Sequence, residues 1–144
     1  MKEPLGQFRI LLNTIENRVQ EISKGYDIES LAGPQGSTVV FLLKNQDQEL
    51  FIKDIEKELQ VSKSVASNLV KRMQKNGFVK IIPSLSDKRR KQVVLTPFGL
   101  EKAKEMQFFL NDIYDAVLAD IKPEELAVAK KVFRQIQSNL ENRE

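Results

Sequence analysis

Residues 85–96 read LSDKRRKQVVLT, and this stretch decides how the rest of the chain is interpreted. Four consecutive cations at 88–91 follow Asp87, and after Gln92 come the apolar residues VVL. A second run of strand composition, FVKII, lies at 78–82, and proline and serine residues separate the two runs. Two runs rich in β-branched residues with turn-forming residues between them predict a β-hairpin. The cations are therefore expected in the loop of a hairpin.

Amphipathic helices are predicted on both sides of this hairpin, because apolar residues recur there at intervals of three and four. Ser62 is a good N-cap for the helix before the hairpin, and Asn76-Gly77 is a good C-terminal stop. Thr96-Pro97 supplies the N-cap and first position of the helix after it. The expected helices cover about residues 5–23, 34–44, 53–59, 62–75 and 97–119, and KPEEL at 122–126 opens a last one.

This order of elements predicts a mainly α fold with a small β-hairpin wing (α+β). Two short helices joined by a turn and followed by a hairpin form a winged helix-turn-helix, here flanked by long helices at both ends. We expect a single domain over 1–144, with an N-terminal dimerisation helix and loop at 1–32, the winged helix-turn-helix at 33–96 and C-terminal dimerisation helices at 97–144.

The charge of the chain is concentrated in its middle third. Residues 60–92 hold nine Lys or Arg and one acid, whereas the remainder holds 14 basic and 19 acidic residues, so a net charge of +3 hides a segment of +8. Such a segment is typical of a surface that meets a polyanion. A solvated cationic surface is the alternative.

The composition excludes several classes of function. The sequence contains no Cys and no His, so disulfides, thiol redox sensing, His-dependent catalysis and ordinary zinc or copper sites are excluded. No glycine-rich phosphate loop, paired catalytic carboxylates or calcium-type loop is recognisable. We expect no enzymatic activity, no cofactor, no metal and no membrane partner, and a cytoplasmic location.

The helix at 62–75 has two distinct faces. Ala66, Leu69, Val70 and Met73 form a stripe that is expected to be buried, while the opposite face carries short polar side chains and then cations. Small polar side chains let a helix approach base edges in the major groove, and cations reach phosphates. An ordinary surface helix with solvated cations is the alternative, and the cationic hairpin that follows favours DNA.

In the hairpin loop, Asp87 admits two roles. Its carboxylate could pair with Arg89 and orient that side chain. It could equally accept a hydrogen bond from its own backbone two residues on. A guanidinium on such a loop is suited to a narrow minor groove.

The segment DKRRKQVVLTPFG matches the wing signature D-x-R-x-x-x-V-x-L-T-x-x-G of the multiple antibiotic resistance regulator (MarR) family. LQVSKSVASNLVKRMQKNGFV at 59–79 resembles the recognition helix of that family. Glu56 departs from the pattern, since a small residue is usual there. The resemblance implies a homodimeric transcriptional regulator that binds double-stranded DNA through the helix from Ser62 and through Arg89. The residues expected to contact DNA are Ser62, Lys63, Ser64, Ser67, Asn68, Lys71, Arg72, Lys75, Asp87, Lys88, Arg89, Arg90 and Lys91.

The apolar stripes at 106–118 and 126–140, together with that of 5–23, exceed what one small winged helix can cover, which also predicts a homodimer. A two-fold dimer would present two recognition helices to a pseudo-palindromic site. We expect a repressor released by a small organic effector, and the alternative is a winged-helix protein-protein module. Phe8, Leu12, Phe41 and Phe108 are candidates for an effector pocket, but core packing is the favoured interpretation of each.

Overall fold

The computed structural model describes residues 3–26, 31 and 33–141. The described part contains six helices and one two-stranded antiparallel sheet. In chain order the elements are α1 (Glu3–Ser23), α2 (Pro34–Lys44), α3 (Ile52–Leu59), α4 (Lys63–Lys75), β1 (Val79–Pro83), β2 (Lys91–Leu95), α5 (Pro97–Val117) and α6 (Pro123–Glu141). The mainly α fold with a β-hairpin wing is therefore confirmed.

The chain divides into a first unit, Met1–Ile113, and a second unit, Tyr114–Glu144. The core of the first unit is formed mainly by α2, α4, the hairpin and α5. Helix α2 contributes Thr38, Val39, Val40 and Leu42 from its apolar run, and all four are buried. Helix α2 is therefore central to the core of the first unit.

Helix α4 lies against this core with the predicted stripe. Ala66, Leu69, Val70 and Met73 are its buried residues. Helix α3 packs beside it through buried Ile55, while Glu56 is only half-buried, so the unusual glutamate does not prevent the contact between the two helices. The helix-turn-helix is thus built as the apolar spacing predicts.

Strands β1 and β2 pair in antiparallel register from Val79 opposite Leu95 to Pro83 opposite Lys91. The hairpin is attached to the core by Val93, whose side chain is buried and whose backbone N–H donates to the carbonyl of Leu50 at 2.7 Å. The strand pair therefore has a fixed base from which its loop projects.

The end of the wing signature joins the hairpin, α4 and α5. The hydroxyl of Thr96 donates to the carbonyl of Gly77 at 2.6 Å and accepts from the N–H of Gly99 at 2.9 Å. Gly77 has φ +82°, as its position after α4 requires. A Cβ on Gly99 would lie 1.9 Å from the carbonyl oxygen of Phe78, so only glycine allows this approach. The threonine and glycine of the motif thus hold α5 against the junction of α4 and β1.

The flanking helices behave differently. Helix α1 has no buried residue, although Val19, Ile22 and the following Tyr26 pack partly against the core of the first unit. Helix α5 buries Met106, Phe109 and Ile113 and ends at Val117, two residues before the predicted end. None of the described helices has an apolar stretch long enough to cross a bilayer.

In the second unit, α6 begins with the acidic first turn that KPEEL predicts, and Glu125 accepts a hydrogen bond from the N–H of Lys122 at 3.0 Å. No residue of α6 is buried. Large apolar side chains on its surface are exposed, and these are Val128, Val132, Phe133, Ile136 and Leu140. The predicted apolar stripe is present, but most of it is not covered within the protomer.

Candidate nucleic-acid interface

Helix α4 starts where the sequence predicts. The hydroxyl of Ser62 accepts a hydrogen bond from the N–H of Val65 at 3.3 Å, which caps the helix. The same hydroxyl lies 3.3 Å from that of Ser64. Both serines therefore stand at the N-terminus of α4, where the helix dipole and free N–H groups favour a phosphate.

The outer face of α4 is polar and accessible. Ser67 is half-buried, whereas the remaining predicted contacts on this helix are exposed. Within the described part of the chain, the side chains of Asn68, Lys71 and Arg72 have no ion pair or hydrogen bond. Their donors and acceptors are therefore available to a ligand. The exposed residues on this face are Lys63, Ser64, Asn68, Lys71, Arg72 and Lys75.

The hairpin loop, residues 84–90, is closed by its own backbone. The N–H of Ser84 donates to the carbonyl of Arg90 at 2.9 Å, and the N–H of Arg90 donates to the carbonyl of Asp87 at 2.9 Å. We call this loop the wing tip. Its cations therefore lie on a hydrogen-bonded turn.

Asp87 fulfils both of the roles considered for it. Its Oδ1 accepts the backbone N–H of Arg89 at 3.1 Å and the Nε of the same residue at 3.3 Å. The Arg89 side chain nevertheless remains 92% exposed. An exposed ion pair contributes little to stability, but this contact restrains the Arg89 side chain while leaving it accessible to a ligand.

The four consecutive cations are not equivalent. The guanidinium carbon of Arg90 lies 3.8 Å from the centre of the Phe51 ring, a cation–π geometry that turns this side chain toward the start of α3. Lys88 and Lys91 are exposed and make no ion pair in the part of the chain that the structure describes. Arg89 and the two lysines are thus better placed for a DNA contact than Arg90.

Glu49 is a functional residue that the sequence reasoning missed. Its carboxylate oxygens lie 2.8 and 2.7 Å from the hydroxyl of buried Ser84, and Oε1 accepts the backbone N–H of Leu85 at 3.0 Å. The hydroxyl of Ser84 in turn accepts the N–H groups of Ser86 and Asp87, each at 3.2 Å. Glu49 and Ser84 together hold the start of the wing tip. No local spacing signals this, because the two residues are far apart in sequence.

A separate polar contact lies between Tyr26 and α5. The Tyr26 hydroxyl donates to the carboxylate of Asp112, and the ring packs edge-on against Phe109 with centroids 5.4 Å apart. The hydrogen bond to Asp112, helped by burial and by the negative charge, raises the pKa of Tyr26 above its ordinary value. The phenol therefore stays protonated over the physiological range.

The candidate effector residues have different environments. Phe41 packs partly against the core, as expected, and Phe8 is half-buried beside α1 residues. Core packing was the wrong expectation for Leu12 and Phe108, which are exposed in the protomer. Among the described residues, no group of three or more carboxylate side chains could hold a metal ion.

Comparison with known proteins places the fold in a family. The sequence model of the MarR family matches residues 30–90. The heme-free form of PefR is 48% identical over 94% of this chain and 99% of that one, with a TM-score of 0.82. The heme sensor protein PefR from Streptococcus agalactiae in complex with heme is 48% identical over 96% and 95%, with a TM-score of 0.72. No curated protein matches the chain.

More distant structures share the fold. The transcription regulator MarR from Oenococcus oeni PSU-1 is 23% identical over 93% of this chain and 98% of that one, with a TM-score of 0.77. The S. aureus MepR–DNA complex is 22% identical over 93% and 94%, also with a TM-score of 0.77. Three observations indicate the same family: the match to the family model, the identity to PefR over nearly the whole length of both chains, and the winged helix with its cationic tip. This chain belongs to the MarR family of homodimeric, DNA-binding transcription regulators.

Proposed function

We propose that this regulator places α4 in the major groove and the wing tip in the adjacent minor groove of a pseudo-palindromic operator. Asn68 and the serines of α4 would meet base edges, while Lys71, Arg72 and Lys75 would meet phosphates. A two-fold dimer brings two such helices to half-sites about 34–36 Å apart, one turn of DNA.

The observation that carries this proposal is the geometry of Arg89. Asp87 holds both the backbone N–H and Nε of this residue, yet the side chain is almost fully exposed. An arginine held outward on a braced hairpin is suited to the narrow, strongly negative minor groove of A·T-rich DNA. Arg90 is the least suited of the four predicted wing cations, because its guanidinium stacks on Phe51.

We propose a repressor, since a dimer bound at a promoter blocks polymerase without any further contact surface. The chain would act in the cytoplasm, where its DNA partner is, and would have no enzymatic activity. Its 144 residues would serve as one domain, divided at 32 and 96 as the sequence predicts. Each of these statements rests on the DNA-binding role.

The decisive experiment is a salt titration of binding to the DNA upstream of the gene, compared with a scrambled duplex of equal length. We expect a steep salt dependence and a preference of about 10³ or more for the upstream duplex. Weak and equal binding to both duplexes, together with failure to select any sequence from a random pool, would contradict the proposal.

The effector is proposed to be a small organic molecule. PefR is a heme sensor, but this chain contains neither His nor Cys, so the commonest side-chain ligands of heme iron are missing. Among the described methionines, Met73 and Met106 are buried in the core. The phenol of Tyr26 donates to Asp112, which opposes its conversion to a phenolate ligand. Met73, Met106 and Tyr26 are therefore not suited to ligate heme iron.

A titration with hemin beside metal-free protoporphyrin tests this proposal. We expect the two porphyrins to bind the protein with similar affinity and hemin to show no spectrum of an iron–protein bond. Selective binding of hemin with a ligated-iron spectrum would overturn it. Tyr114→Phe would then test the exposed phenol of that residue as the iron ligand.

A further inference from the structure

The wing tip carries a large apolar side chain that the DNA-binding role described so far does not use. Leu85 is 90% exposed, more than any other large hydrophobic side chain among the described residues. Between residues 33 and 96 only one other such side chain is exposed, Val65 on α4. A single exposed leucine is common on protein surfaces, so its meaning depends on how it is held and on what surrounds it.

Leu85 is held in a fixed position. Its backbone N–H donates to Glu49 at 3.0 Å, and the preceding Ser84 is buried with its hydroxyl bonded to the same carboxylate. The loop is also closed on the other side by the bond from Ser84 to the carbonyl of Arg90 at 2.9 Å. The exposure of the leucine is therefore built into a braced loop and is not the result of a loose one.

The surroundings of Leu85 are cationic. Lys88 and Arg89 lie in the same short loop, and Lys91 pairs with Pro83, two residues before Leu85. A surface that receives this loop must combine strong negative charge with an apolar strip. The minor groove does so, because its phosphates flank walls of deoxyribose carbon, and leucine is one of the side chains used as a wedge by minor-groove proteins.

We propose that Leu85 is a non-ionic DNA contact, packed against the walls of the minor groove beside Arg89. Glu49 is its positioning residue, because the carboxylate holds the backbone of Leu85 without itself needing to touch DNA. Arg89 supplies the electrostatic part of wing binding, and Leu85 supplies a part that does not depend on salt. This inference rests on the proposed function.

The test is a series of Leu85 variants, measured on a duplex that the parent protein selects from a random pool, at several salt concentrations. Burial of a leucine against DNA predicts that Leu85→Ala weakens binding about tenfold and that Leu85→Asn weakens it at least as much. Leu85→Met should bind like the parent. The slope of log affinity against log salt should stay unchanged in all three, since that slope counts neutralised phosphates.

Arg89→Ala is the matched control in the same loop, and it should reduce the salt slope by about two, one for each wing of the dimer. Circular dichroism and sedimentation should find every variant folded and dimeric. In a Glu49→Ala background the loss caused by Leu85→Ala should shrink, because the leucine is then no longer held in place. Ala and Asn variants that bind as tightly as the parent would overturn the inference. A parent protein that selects no sequence would instead overturn the proposed function.

Discussion

The winged segment, residues 33–96, and the two helices α1 and α6 differ in how their apolar side chains are covered. In the winged segment the apolar stripe of α4 and the inward residues of α2 and β2 are buried within one protomer. Helices α1 and α6 carry stripes of similar spacing, yet neither contains a buried residue. Stripes of the same spacing are therefore buried in one region and exposed in the other.

This difference separates the two tasks of the regulator. A recognition helix and a wing must be rigid within a protomer, because their side chains have to meet the grooves in register. Two protomers must also be set at a fixed spacing, and we propose that the exposed apolar stripes provide the association that does this. Variants of the winged segment should accordingly lose stability or DNA affinity, whereas variants of the exposed stripes should weaken the dimer.

The largest effect is expected for Gly99→Ala, where α5 meets the junction of α4 and β1. The added Cβ would lie 1.9 Å from the carbonyl oxygen of Phe78, and backbone must move to relieve this contact. We expect a loss of about 3 kcal/mol in the free energy of unfolding, measured by urea denaturation at constant protein concentration. Gly6→Ala in α1 is the control, because a Cβ there meets nothing within 4 Å. Equal stability of the two variants would contradict the interlocked junction.

A charge on the flanking stripe should break the dimer and leave the protomer folded. Ile136→Glu places a carboxylate in the exposed apolar stripe of α6, and we expect a rise of about 30-fold in the dimer dissociation constant, or about 2 kcal/mol. Sedimentation equilibrium measures this directly. Arg134→Glu is the control, since it changes charge on the other side of the same helix. If Arg134→Glu dissociated the dimer and Ile136→Glu did not, the apolar stripe of α6 would not be the dimer contact.

The wing prediction concerns DNA affinity alone. Arg89→Ala should weaken binding to the selected duplex by roughly 1–3 kcal/mol and leave the dimer intact, because the side chain is exposed and contributes little to the fold. Arg90→Ala provides the comparison, and a smaller loss of affinity is expected because its guanidinium stacks on Phe51. If the Arg89 variant bound DNA as tightly as the parent, Arg89 would not be the minor-groove contact.

On the recognition helix α4, Lys71→Ala should weaken binding to specific and to non-specific DNA by about the same factor. The exposed ammonium is expected at a phosphate, so the salt slope should fall by about two, one for each recognition helix of the dimer. Asn68→Ala is the contrasting variant, and its loss should be confined to the selected sequence. A selective loss for Lys71→Ala would assign that lysine to a base edge instead.

The smallest effect concerns Tyr26 at alkaline pH. Because the hydrogen bond to Asp112 raises the pKa of Tyr26, the stability from this contact is present below the ordinary tyrosine pKa and is lost as pH rises through the higher folded value. In Tyr114→Phe, where Tyr26 is the one tyrosine left of two, phenolate absorbance should appear at higher pH in the folded than in the urea-unfolded protein. Coincident titrations would contradict the contact.

The sequence by itself determined the elements and located the cationic surface that is proposed to meet DNA. Apolar spacing located the buried stripe of α4, and Ser62 and Thr96 marked helix starts that the structure confirms, because caps and periodicity are properties of a few neighbouring residues. The wing signature identified Asp87 and Arg89 for the same reason, since the two are only two residues apart.

Only the tertiary structure decided what depends on distant contacts. Glu49 braces Ser84, and Phe51 receives Arg90, across sequence separations that carry no periodic signal. The fate of the apolar stripes was also undecidable from spacing, because a stripe is the same whether it faces its own core or a second copy. Leu12 and Phe108, expected in the core, prove to be exposed for this reason. Apolar periodicity predicts which side chains share a face. Only the tertiary structure shows whether that face is buried within the protomer.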